Sequence, residues 1–155
     1  MPYFTAQVTS AAALANGNAI VALVPAAAVN FKIMSVVFGV NNAGGAITDF
    51  DVTVGLNRAT ARGTQSATAT TNRSDPNSNA SGLTNVDSGW SVQPTLAASD
   101  GWTWSFNSRG GLALNFNQWD IVSNVGTANA MVFVQRSGAG LPASHSITAT
   151  VEWFE

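Results

Sequence analysis

Asp49-Phe-Asp-Val-Thr-Val-Gly-Leu56 decides the fold class of this chain. Phe50, Val52, Val54 and Leu56 fall on one side of a two-residue period, and Asp49, Asp51, Thr53 and Gly55 fall on the other. Successive side chains of a strand point to opposite faces, so this is the pattern of a half-buried strand. The period recurs in residues 101–107, where Trp102, Trp104 and Phe106 oppose Thr103, Ser105 and Asn107. It recurs again near Glu155, where Ile147, Ala149, Val151 and Trp153 oppose Thr148, Thr150 and Glu152.

Residues 29–40 differ in being apolar on both alternations, with Phe31, Ile33 and Val37 on one and Met34, Val36, Phe38 and Val40 on the other. That pattern predicts a central strand covered on both sides. Further strands are predicted at residues 3–9, 19–24, 64–71, 111–116, 120–125 and 130–135. Turn-forming clusters separate them: Asn16-Gly17, Asn41-Asn-Ala-Gly-Gly45, Arg109-Gly-Gly111 and Ser137-Gly-Ala-Gly140. Many short strands punctuated in this way predict one all-β domain over residues 1–155, an antiparallel jelly roll or β-sandwich, with residues 1–9 as a short N-terminal arm. Residues 10–15 favour helix but are too few to hold one alone. Residues 72–89, rich in Asn, Ser, Asp and Gly with Pro76 among them, read as a long loop.

The composition narrows the function. Only 9% of the 155 residues are charged, against about a quarter in an average soluble domain, so little charge keeps one copy apart from another. The net charge is -2, and Lys32, Arg58, Arg62, Arg73, Arg109 and Arg136 are scattered. Displacing counterions from a phosphate backbone needs clustered cations, so nucleic acid is not an expected partner. There is no cysteine, which removes disulfides and thiolate metal sites. Residues 1–31 hold no Lys or Arg, and the apolar run from Ala19 to Val29 is short and interrupted by Pro25. No membrane span is expected, and synthesis in the cytoplasm is.

Four constellations could carry chemistry. His145 is the only histidine, and its Ser144-His145-Ser146 setting lacks a nucleophile elbow, so it reads as a polar residue opening the last strand. Asp49 and Asp51 adjoin on one polar strand face, whereas catalytic carboxylate pairs face each other across a cleft. A solvated face or a subunit contact accounts for them better. Asp75-Pro-Asn77-Ser-Asn79 resembles the opening of a calcium loop, but Ala80 and Val86 stand where that loop needs Gly and Glu. Trp102 and Trp104 could form a sugar-stacking platform with Asp100 and Asn107 as hydrogen-bonding partners, or they could fill a core or a subunit seam. No cofactor is expected, and neither is enzymatic activity.

Three segments carry a resemblance. The first is Val29-Asn-Phe-Lys-Ile-Met-Ser-Val-Val-Phe-Gly39, followed by Gly44-Gly45 and Asp51-Val-Thr-Val-Gly-Leu56. The second contains Ser74-Asp-Pro76, and the third pairs Gly110-Gly-Leu-Ala-Leu-Asn-Phe116 with Ser146-Ile-Thr-Ala-Thr-Val-Glu-Trp-Phe-Glu155. In layout the chain resembles small jelly-roll structural proteins of tailed bacteriophages, the capsid decoration or cement proteins. The resemblance implies a homotrimer on the outer surface of an icosahedral head, bound to the major capsid protein where capsomers meet. Pro2, Tyr3, Phe4 and Thr5 of the arm, Arg58, Arg62 and Arg73 around the long loop, and Trp102 and Trp104 are the expected contact residues. A carbohydrate-binding or host-recognition module of a phage tail or fibre is the alternative.

Overall fold

Main-chain hydrogen bonds gather the chain into two antiparallel sheets. A computed structural model describes residues 3–26, 30–73, 81, 83–116, 122–123 and 130–155. Its strands are β1 (Tyr3–Thr9), β2 (Ala19–Pro25), β3 (Phe31–Asn42), β4 (Asp51–Ala61), β5 (Thr64–Ala69), β6 (Asn72–Arg73) and β7 (Leu83–Val92). They continue with β8 (Thr95–Leu96), β9 (Trp102–Asn107), β10 (Leu112–Asn115), β11 (Val122–Ser123), β12 (Met131–Gln135) and β13 (His145–Phe154). The first sheet runs β10-β3-β13-β1-β6, with β11 also along β3. The second runs β5-β7-β2-β12-β4-β8, with β9 also along β4.

Eight of these strands form a jelly roll, β10-β3-β13-β1 against β9-β4-β12-β2. The chain changes sheet at every step through these eight except from β4 to β9. Into that one step residues 62–101 are inserted, carrying β5 to β8.

The inner faces follow the two-residue period. Val52, Val54 and Leu56 of β4 meet Ile147, Ala149, Val151 and Trp153 of β13 in one buried cluster. Phe38 sets its ring edge-on to Phe133 at 5.4 Å, and Phe4 stacks on Trp153 at 5.9 Å. Each such side chain contributes about 1.5–3 kcal/mol on leaving water, and no disulfide supplements them.

The segment expected as an N-terminal arm is a strand of the sandwich itself. β1 pairs with β13 without a slip from Tyr3↔Phe154 to Thr9↔Thr148, and β6 flanks it at Phe4 and Thr5. Phe4, Ala6 and Val8 are buried in the main core. The alternation of apolar Phe4, Ala6 and Val8 with Thr5, Gln7 and Thr9 carries this outcome. Pro2 lies outside the described residues.

β3 also departs from expectation, being covered on one face only. Trp153 pairs with Ile33 but Glu152 pairs with Ser35, so Met34 is an extra residue and a bulge reverses the alternation. Phe31, Ile33, Val36 and Phe38 therefore all enter the core, while Val37 is 50% exposed. The strands buried on both faces are β2 and β12.

Half of the expected loop at 72–89 is strand, residues 72–73 in β6 and 83–89 in β7, which pairs with both β2 and β5. The Asp75–Asn79 run lies outside the described residues. The outer face of the second sheet is built of small side chains. Ala19, Ala22, Val24, Ala59, Ala130, Val132 and Val134 form a second buried cluster, with Trp90 and Leu96 of the 62–101 insertion packed on it.

Removing residues 1–9 is therefore expected to unfold the protein, abolishing its cooperative thermal transition in near-UV circular dichroism. Phe4→Ala is the milder case and is expected to lower stability by about 3–5 kcal/mol, as for other buried aromatic truncations, read by urea unfolding.

Candidate functional site

Two ion pairs fix the insertion, one within it and one between it and the residue after β12, and they engage side chains that the sequence offered for binding. Arg62 donates from Nε and Nη2 to the two carboxylate oxygens of Asp87, both at 2.8 Å. Asp87 is completely buried. The Asp87 hydrogen bonds hold Arg62 more firmly protonated than an ordinary arginine, against the opposing effect of burial. Arg62 is thus a structural residue within this chain. Arg58 sits half-buried on β4, and Arg73 is exposed on β6 at the edge of the first sheet.

The second pair joins Arg136 to Asp100, with Nε to Oδ2 at 2.7 Å and Nη2 to Oδ1 at 2.6 Å. Asn57 Nδ2 donates to Oδ1 as well, at 2.8 Å. Burial alone would raise the Asp100 pKa, but the hydrogen bonds from Arg136 and Asn57 and the Arg136 charge outweigh it, and the pKa is lowered. Gly55 makes room for this carboxylate, since a Cβ there would collide with Asp100.

The expected tryptophan platform is not assembled. Trp102 is 47% exposed, whereas Trp104 is half-buried and meets the Phe116 ring at 5.8 Å. Asp100 is taken by Arg136, and Asn107 donates to Asp49 Oδ1 while its own Oδ1 accepts from the Arg109 amide. Asp49 and Asp51 are both exposed, as a solvated face requires.

His145 opens β13 and is buried, beside the Phe50 ring at 5.3 Å. Nε2 accepts the Thr48 amide at 3.2 Å, and Nδ1 faces the Ala143 carbonyl at 3.0 Å. The Thr48 amide makes Nε2 an acceptor, so Nδ1 carries the proton and donates. Nε2 joins the loop before β4 to the start of β13, and Nδ1 is occupied by its own approach segment. Among the described residues, no three His, Asp or Glu side chains come together as metal ligands do.

What remains is a surface, the outer face of the first sheet. The pairings place Tyr3, Phe154 and Lys32 in one row across it, and Thr5, Glu152, Ser35 and Asn115 in the next. Gln7, Thr150, Val37 and Ala113 follow, then Thr9, Thr148 and Gly39. Its charges, Lys32 and Glu152, sit in the first two rows, where Lys32 lies over the Phe154 ring at 5.5 Å and Glu152 accepts from Ser35 Oγ at 2.6 Å. The last two rows are uncharged, built of hydroxyl, amide and small apolar groups, with Val37 exposed in the middle. Tyr3 and Thr5 of the expected contact set lie here, and Phe4 does not, because it points inward. The other rows were missed because the sequence does not show which polar strand faces come to lie side by side.

Asp87→Asn replaces the buried carboxylate of this fork by a neutral amide and is expected to lower stability by about 1.5–3 kcal/mol, as for hydrogen bonds to a charged group; chemical denaturation checks it. Asp100 has a lower pKa in the fold than in the unfolded chain, so below about pH 4 the unfolded chain binds more protons. Its contribution is present above that pH and is lost as pH falls through the folded value. Asp100→Asn is expected to flatten this acid dependence of the unfolding midpoint. Comparison with family models, with curated proteins and with solved structures finds no match to this chain.

Proposed function

We propose that the chain is a non-enzymatic virion structural protein, a capsid decoration protein that assembles as a homotrimer and binds the major capsid protein on the outer surface of a phage head. The observation that carries the reading is the unequal treatment of the two outer sheet faces. One is covered by the protein's own insertion, while the other presents uncharged rows around exposed Val37. A flat, sparsely charged face meets another protein surface at little desolvation cost. A protein that binds only the assembled shell stabilises it by mass action, and a trimer adds avidity to weak single contacts.

The sugar-binding alternative draws less support, because Trp102 stands exposed without Trp104 and both proposed polar partners are engaged. The test is to mix the purified protein with heads lacking it. Saturable binding and a raised head melting temperature are expected. Val37→Glu puts a carboxylate at the middle of the face, where an unpaired buried group costs about 1–3 kcal/mol or more; binding is expected to fall about tenfold or beyond, with the monomer fold intact by circular dichroism. Failure of the unmodified protein to bind, or equal binding by the variant, rejects the reading.

A further inference from the structure

An edge strand exposes unpaired main-chain groups, and proteins ordinarily shield such edges by shortness, charge, proline or bulges. Four of the edge strands described here are shielded in these ways. β6 and β8 have two residues each and β10 has four. β5 is longer, but its pairing with β7 slips at three places.

β9 has none of these protections. It pairs with β4 from Asp51↔Asn107 to Leu56↔Trp102 without a slip, and Trp102-Thr-Trp-Ser-Phe-Asn107 contains no charge and no proline. The ladder shows which groups point outward. Arg136 donates to the Thr53 carbonyl and the Ala59 amide donates to the Ala130 carbonyl, so the odd-numbered residues of β4 bond toward β12. Its even-numbered residues then bond toward β9, as the Ser108 amide on the Phe50 carbonyl also shows. Trp102, Trp104 and Phe106 face β4, and Thr103, Ser105 and Asn107 face away. The Asn107 carbonyl is taken by the Gly110 amide. Among the described residues, the N–H and C=O of Thr103 and Ser105 are left open, both on exposed residues.

We propose that β9 is a strand-pairing edge whose partner is β9 of a second copy, antiparallel about a two-fold axis through Trp104. In that register Thr103 lies opposite Ser105 of the second copy and the reverse, so the four open groups on each chain satisfy one another in four hydrogen bonds. Trp102 comes opposite Phe106 of the second copy, a favourable cross-strand aromatic pairing. The strand is uncharged, so no like charges meet. Six residues extend about 20 Å, too short a seam to approach the ~1,200–2,000 Å² of a stable interface. The pairing is therefore of the weak class and gains strength where copies are held close together. It does not depend on the virion reading and applies to the free protein.

The chain has no cysteine, so a clean cross-linking test is open. Residues opposite each other in a hydrogen-bonded pair have Cα atoms about 5.5 Å apart, within disulfide reach. Thr103→Cys and Ser105→Cys are made as separate chains and oxidised mildly at high concentration, alone and as a mixture. The mixture is expected to give the mixed disulfide dimer in several-fold excess over either chain alone. Thr103→Pro removes an outward N–H and no bond to β4; it is expected to keep the circular dichroism spectrum and lose the two-fold association step in concentration-dependent sedimentation, leaving any three-fold step in place. Absent or equal cross-linking in all three samples, or self-association unchanged in a folded Thr103→Pro variant, overturns the proposal.

Discussion

A strand has two faces, and a two-sheet body therefore has four to settle against protein or water. In this chain two of them meet in the main core, where Phe38, Phe133, Phe4 and Trp153 interlock. A third is closed by the insertion at 62–101, which lies over Ala19, Ala22, Ala59 and Ala130. Those residues are small for a geometric reason, since larger ones would hold the covering layer off the sheet. Gly55 is the extreme case, giving up its side chain to seat the Asp100 carboxylate. The fourth, around exposed Tyr3 and Val37, is left open among the described residues.

The ion pairs follow from the same constraint. Covering a sheet face with a polar insertion takes carboxylates out of water, and each needs a fixed cation. Asp87 and Asp100 are met bidentately by Arg62 and Arg136. A buried pair of this kind adds little net stability over a well-packed apolar contact, and its loss is costly because one charge is stranded. The Asp100–Arg136 pair, with Asn57, sets where the insertion docks, and the Asp87–Arg62 pair braces the insertion itself. They engage two of the six basic and two of the eight acidic side chains of the chain.

The clean alternations were legible in the sequence. Val52 to Leu56 and Ile147 to Trp153 fall on the inner faces as their period requires, and the jelly-roll class follows from strands of that kind between Gly- and Asn-rich turns. β3 was misread because an extra residue at Met34 reverses the period, and nothing in the residue types marks a bulge there. β7 was missed because polar residues cover much of it, with Asp87 buried only by virtue of an arginine far away in sequence. The covered outer face was not legible because its small residues, Ala19, Ala22, Ala59 and Ala130, come together only when β2, β12 and β4 pair. Of the candidate site, His145 as a polar residue opening the last strand was visible, but the exposure of Trp102 and the employment of Asp100 and Asn107 depended on tertiary neighbours.

The pairing of β1 with β13 has a bearing on how the molecule is made. Tyr3 to Thr9 leave the ribosome well ahead of their partners in β13, which lie about 140–150 residues further along the chain. Until β13 emerges, Phe4 and Val8 have no Trp153 or Ile147 to pack against, and β3 lacks its principal neighbour as well. The nascent chain must carry exposed apolar strands until β13 is made, and closure of the first sheet waits on a long-range encounter of the slow kind typical of non-local β topologies.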